Sequence, residues 1–229
     1  MSVAIMFPGQ GSQAVGMGVK LAKEFSTARQ VFQEVDDALG QRLFKIICEG
    51  PEDQLTLTEN AQPALMAVSL ALIRVMENHF DIDLASNFSF AVGHSLGEYS
   101  ALAAAGALSL TDTAKLLKIR GTAMQQAIPV GEGGMAAILG LDIEAARSLA
   151  RAASEGEGCT PANDNAPGQV VLSGHATAIS RAVDIASEFG ARRAVALQVS
   201  APFHCSLMQP AAEKMEEVLA STEISVPKI

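Results

Sequence analysis

The sequence is short of cysteine, of positive charge and of long apolar runs, and each shortage removes a class of function. Its three cysteines, Cys48, Cys159 and Cys205, stand far apart with no C-x-x-C pair, which gives neither a disulfide framework nor a zinc site. The four histidines, His79, His94, His175 and His204, lack the i, i+4 spacing of a helical metal site, so no metal is expected. Sixteen Lys and Arg face 25 Asp and Glu, a formal charge of −9 with no basic tract, which disfavours nucleic-acid phosphates and anionic membrane surfaces as partners. The longest apolar stretch, Ala64 to Ile73, is too short to span a bilayer before Arg74 interrupts it. No basic region precedes an apolar segment at the N-terminus, so no signal peptide is expected and the cytoplasm is the expected compartment. No repeat or low-complexity segment is evident. What remains, 229 residues with 49% hydrophobic and 18% charged side chains, suits a protein with a substantial core.

The order of elements predicts an α/β fold. A strand over 3–7 is followed by helical segments, one of them very apolar and starting near Pro63, whose fixed φ suits a first helical turn. A second strand ends just before Ser95, and two helices follow, the later one opened by the capping residues Thr111 and Asp112. Such alternation implies a mostly parallel sheet covered by helices. After the flexible run Gly131-Glu132-Gly133-Gly134 the pattern changes to a strand over 135–141 and a helix over 143–153. Two strands near 159–163 and 169–173 then flank the turn Asn165-Ala166-Pro167-Gly168, ahead of a helix over 176–188 and a strand over 193–199. That β-α-β-β-α-β order is ferredoxin-like. The expected organisation is a larger α/β subdomain of residues 1–130 and 198–229 with a small ferredoxin-like subdomain, 131–197, inserted into it.

The chemistry concentrates at Gly93-His94-Ser95-Leu96-Gly97-Glu98, where a serine stands between two glycines directly after the apolar run Phe88 to Val92. This is the pattern of a nucleophile elbow: a strand ends in a strained turn, the hydroxyl is exposed, and a helix begins whose free N–H groups can stabilise an oxyanion. Near the N-terminus, Pro8-Gly9-Gln10-Gly11-Ser12-Gln13 forms a glycine-rich polar loop suited to close approach of a ligand. Far downstream, Ser200-Ala201-Pro202-Phe203-His204-Cys205 offers an imidazole that can take and return a proton near neutral pH, or else serves as a structural histidine. Cys205 next to it is poorly placed for activation, since adjacent residues of an extended segment point to opposite sides. Arg120, on a helix expected over 112–128 beside the apolar Leu116 and Leu117, carries a planar fork able to bind a free carboxylate; a surface or ion-paired arginine is the alternative.

Taken together, the loop after Phe7, the elbow around Ser95, Arg120 and Pro202-Phe203-His204 resemble the malonyl-CoA:acyl carrier protein transacylases of fatty-acid synthesis, from about residue 3 to the end of the chain. The resemblance implies a hydrolase-like α/β fold with Ser95 as nucleophile, His204 as general base and acid, and the backbone N–H groups of Gln10 and Leu96 as oxyanion hole. It also implies that Arg120 holds the malonyl carboxylate, and that Phe203 accompanies malonyl preference over branched acyl groups. His94, Gln62 and Asn163 have family-like placement near the pocket, beside plain readings as an elbow histidine, a helix-start polar group and a turn amide.

Malonyl-CoA is then substrate, the phosphopantetheine thiol of an acyl carrier protein is acceptor, and neither a cofactor nor an oligomer is expected. The carrier protein is acidic as a class, so docking needs basic residues, for which Lys115, Lys118, Arg192 and Arg193 are candidates. The chain departs from the family in stopping at Ile229, where relatives continue with the segment whose carbonyl orients the histidine; a truncated chain is expected. Two other classes stay open here. A serine thioesterase or esterase would share the elbow but need no Arg120, and an inactive fragment would bind CoA or carrier protein without forming an ester.

Overall fold

The computed structural model describes residues 2–229. Packing divides the chain into two units, one running through Thr122 and completed by Met215–Ile229, the other Ala123–Lys214.

In the first unit, strand β1 (Ala4–Phe7) pairs in parallel with β2 (Phe90–Gly93), with Ala4 opposite Phe90 and Phe7 opposite Gly93. Parallel strands need a long crossover, and the residues between them supply it as helices, chiefly α1 (Ser26–Leu39) and α2 (Thr58–His79). Every residue of α2 from Ala61 to Ala67 is buried, so this stretch lies inside the unit rather than on its surface. Phe7, Phe32, Leu43, Ile47, Met66, Leu96 and Leu117 share its core, with Phe32 and Phe44 stacked at 4.2 Å between ring centroids.

Two expectations about helix starts are corrected. Helix α2 begins at Thr58, five residues before Pro63, so the proline lies inside the helix and removes the donor that would have met the Glu59 carbonyl. After α3 (Gly97–Ala104), helix α4 (Leu110–Gln126) is capped by Ser109 and not by Thr111 or Asp112. The Asp112 N–H donates to Ser109 Oγ at 3.0 Å and the Ser109 hydroxyl donates to Asp112 Oδ2 at 2.6 Å, a reciprocal arrangement that places Asp112 in the third helical position.

The second unit carries β3 (Gly133–Leu139), α5 (Ile143–Ser154), β4 (Cys159–Ala166), β5 (Gln169–His175), α6 (Ala176–Ile185) and β6 (Arg193–Ala196). The sheet order is β4-β5-β3-β6 with every neighbouring pair antiparallel, which is the ferredoxin-like arrangement read from the sequence. Asp142 caps α5 by accepting from the Ala145 N–H at 2.8 Å, and Ile138, Leu149, Leu172 and Ile179 form the core between helices and sheet. The last strand is shorter than expected. Its regular ladder with β3 covers Arg193–Ala196, Leu197 adds one bond to the Met135 carbonyl, and the chain then leaves the sheet.

This second unit is wider than the 131–197 expected. Ala201, Phe203, Met208 and Ala211 pack with Met124, Met135 and Val171 into one cluster, which draws the end of α4, the segment around His204 and the start of helix α7 (Gln209–Ala220) into it.

Candidate active site

The elbow is built from close backbone contacts that only glycine permits. At the end of β2 the His94 N–H donates to the Phe7 carbonyl at 3.1 Å, and the Gly97 N–H turns back onto the His94 carbonyl at 2.9 Å. A side chain on Gly93 would overlap the Gly97 carbonyl and the Glu98 nitrogen, and one on Gly97 would overlap the Phe7 carbonyl oxygen. Strand, turn and helix start therefore stack without room for a methyl group. The turn forces Ser95 to a φ of 54°, a left-handed conformation that costs a residue with a Cβ roughly 1–3 kcal/mol. Leu96, 1% exposed, anchors the start of α3 in the core.

From Ser95 a chain of hydrogen bonds runs inward. Its Oγ accepts from Arg120 Nη2 at 3.1 Å, and the other arm of the guanidinium, Nη1, donates to Gln62 Oε1 at 2.7 Å. Gln62 Nε2 donates in turn to Thr58 Oγ1 at 2.9 Å, and the Thr58 hydroxyl donates to Gln10 Oε1 at 2.8 Å. Thr58 and Gln62 are 0% and 1% exposed, so these bonds lie away from water and fix their members. Four sequence candidates, Gln10, Gln62, Ser95 and Arg120, are brought together this way. Thr58 is the member that sequence reasoning missed; its only signal was an i, i+4 pairing with Gln62 on one helix.

Arg120 owes its position to the crossing of α4 over the start of α2. Gly121 makes that crossing possible, because a Cβ there would lie 2.5 Å from Glu59 Cα and 2.7 Å from the Thr58 carbonyl oxygen. The guanidinium lies 5.7 Å from the centre of the Tyr99 ring, a cation–π contact. Burial lowers its pKa from the ordinary arginine value, and the weaker influences of Tyr99 and Glu98 oppose that shift. Among the described residues no carboxylate lies within ion-pair distance of it. Lys118, two residues earlier, differs: its Nζ lies 3.4 Å from Glu59 Oε1 and donates to Asn60 Oδ1 at 3.2 Å. This lysine is spent inside its own unit, which weakens it as a docking residue.

His94 is exposed, with its ring over Gly9, where a Cβ would strike the imidazole. It borders an apolar hollow of about 480 Å³ with Met6, Phe7, Pro8 and Val92.

In the second unit, His204 is exposed and has a φ of 61°. Among the described residues only four other than glycine have positive φ, and Ser95 and His204 are two of them. Backbone strain of this kind gathers at functional positions. Phe203 beside it is 8% exposed and shares a buried cluster with Met124, Met135, Val171 and Met208. Asn163 stands on β4 opposite Val171, at a register shift after Pro161, and borders a cavity of about 460 Å³ with Ile143 and Arg147. The Cys205 thiol donates to the Pro202 carbonyl at 3.2 Å. Buried Cys159 is pushed up to about 11, chiefly by desolvation, and is no nucleophile near neutral pH.

Comparison with known proteins gives the family. Residues 5–229 match the acyl transferase domain model. The malonyl CoA-acyl carrier protein transacylase of Bacillus subtilis is 48% identical over 97% of this chain and 69% of its own length, and that of Haemophilus influenzae 46% over 99% and 72%. The crystal structure of acyl-carrier-protein-S-malonyltransferase from Bartonella henselae superposes with a TM-score of 0.97 at 56% identity, over the whole of this chain and 73% of that one. A malonyl-transacylase solved in complex with its type II PKS acyl-carrier protein gives a TM-score of 0.95 at 42% identity, again over the whole chain and 73% of its own. A serine elbow carrying an arginine on its hydroxyl, matched over almost the full length at this identity, places the chain in the acyl transferase domain family, among the malonyl CoA-acyl carrier protein transacylases.

Proposed function

We propose that the chain moves a malonyl group from malonyl-CoA to the phosphopantetheine thiol of an acyl carrier protein by way of a malonyl-serine ester. Ser95 Oγ attacks the thioester carbonyl as its proton passes to His204, the carbon–sulfur bond breaks, and the proton goes to the departing CoA sulfur. The carrier's thiol then attacks the ester carbonyl, gives its proton to His204, and Ser95 regains one as it leaves. The backbone N–H groups of Gln10 and Leu96 serve the oxyanion in both halves, a single such donor being worth about 2.7–4 kcal/mol at the barrier. The reaction needs no cofactor, and a cytoplasmic monomer suffices for it. No helix among the described residues is long and apolar enough to cross a membrane.

The observation that carries this reading is Arg120. It is a largely desolvated cation that, among the described residues, has no carboxylate within ion-pair distance, held by a neutral amide and bonded directly to the nucleophile's oxygen. Such a group suits an acyl chain that ends in a carboxylate, and it has no task in an esterase acting on neutral acyl groups. Replacing Arg120 by Ala is expected to lower malonyl transfer roughly a hundredfold, about 3 kcal/mol, while acetyl turnover stays within a few fold of the wild type. Steady-state transfer from malonyl-CoA and acetyl-CoA to a holo acyl carrier protein measures both. Equal losses for the two substrates, or none for either, would favour the esterase reading.

A further inference from the structure

Gln62 presents Arg120 with an ambiguity that another residue must settle. A primary amide has an accepting end and a donating end of nearly the same shape, and a guanidinium can only donate. Arg120 Nη1 is held at 2.7 Å only while the oxygen of Gln62 faces it. The nitrogen end needs an acceptor to keep the amide that way round, and Thr58 Oγ1 accepts from it at 2.9 Å. A hydroxyl that accepts from Gln62 must send its own proton elsewhere, and the Thr58 proton goes to Gln10 Oε1 at 2.8 Å, on the glycine-rich loop after β1. One hydroxyl, 0% exposed, thus links the two groups to which the reaction assigns the carboxylate and the oxyanion. The backbone of the same residue sets the crossing as well, since its carbonyl is one of the atoms that exclude a side chain at Gly121, next to Arg120.

We propose that Thr58 is a positioning residue for acyl selection: its hydroxyl orients the Gln62 amide, which aims the Arg120 fork, and it couples that fork to the Gln10 loop. The inference rests on the malonyl-transfer reading and names a residue through which that site is tuned. Thr58→Val keeps the shape and removes both hydrogen bonds. The expected result is about a tenfold fall in the ratio of malonyl to acetyl kcat/KM, carried mainly by a higher KM for malonyl-CoA, with the wild-type ratio restored in Thr58→Ser. In the Arg120→Ala background Thr58→Val is expected to leave the ratio unchanged, because the fork it aims is gone. A merely structural threonine would lower both substrates together and act equally in either background. If Thr58→Val is recovered unfolded, the same ratio on Thr58→Cys, which keeps the volume and weakens both bonds, decides. A wild-type ratio in folded Thr58→Val or Thr58→Cys overturns the inference, provided that the wild-type chain prefers malonyl and Arg120→Ala does not. A wild type with no malonyl preference would instead sink the functional reading beneath it.

Discussion

Arg120 shows how far a residue's chemistry can be read before its surroundings are known. Its helix, its apolar neighbours and its fork were legible from sequence, and both Leu116 and Leu117 are buried as expected. The support behind it was not, because Gln62 lies 58 positions away in sequence and Thr58, which holds Gln62, carries no chemical signature as a threonine one turn before a glutamine. Lys118 fails in the opposite direction: a lysine on a helix reads as solvated, yet it is tied to Glu59 and Asn60 by contacts across two helices. The cysteines give a prediction at this scale. With the Cys159 thiol raised to about 11 by burial, iodoacetamide at pH 8 is expected to label it only after denaturation, as peptide mapping would show. The folded thiol holds its proton more tightly than the unfolded one, so its contribution is intact below pH 9.0 and falls away as pH rises towards 11. Rapid native labelling of Cys159 at pH 8 would contradict this.

At the scale of elements, the sequence is most legible where one period dominates and least where an element begins. The strand before Ser95 and the alternation after Gly134 were readable because turn residues bound short apolar runs. The start of α2 was not, since the proline that normally marks a first turn lies inside a helix whose opening residues, Thr58 to Ala61, are polar or small. The crossing of α4 on α2 depends on Gly121, which in sequence is only a glycine within a helical pattern. Gly121→Ala presses a methyl group against the Glu59 and Thr58 backbone, neither of which can rotate away. It is expected to cost about 2–3 kcal/mol and to erode malonyl preference as well, because Arg120 is the preceding residue. Thermal unfolding and the malonyl to acetyl ratio check the two effects. An unchanged melting temperature together with an unchanged ratio would show that the crossing does not position the fork.

For the whole molecule, the fold class followed from the order of elements, and the ferredoxin-like sheet order is the one that order implies. The edges of the second unit did not follow, because α4 and α7 are continuous helices that the division between units cuts, and no composition shift marks either place. The chain spans 69% and 72% of the lengths of the Bacillus and Haemophilus relatives, and 73% of the Bartonella structure. The residues with assigned chemistry, from Gln10 to His204, all fall inside that shared span. The central claim is that this polypeptide forms a malonyl-serine ester at Ser95. Intact mass after brief incubation with malonyl-CoA, with acetyl-CoA and Ser95→Ala as controls, tests it most directly. The account predicts a single malonyl adduct on the wild type, absent from Ser95→Ala and weak with acetyl-CoA. No adduct on a sample shown to be folded, or an adduct that survives in Ser95→Ala, would contradict it.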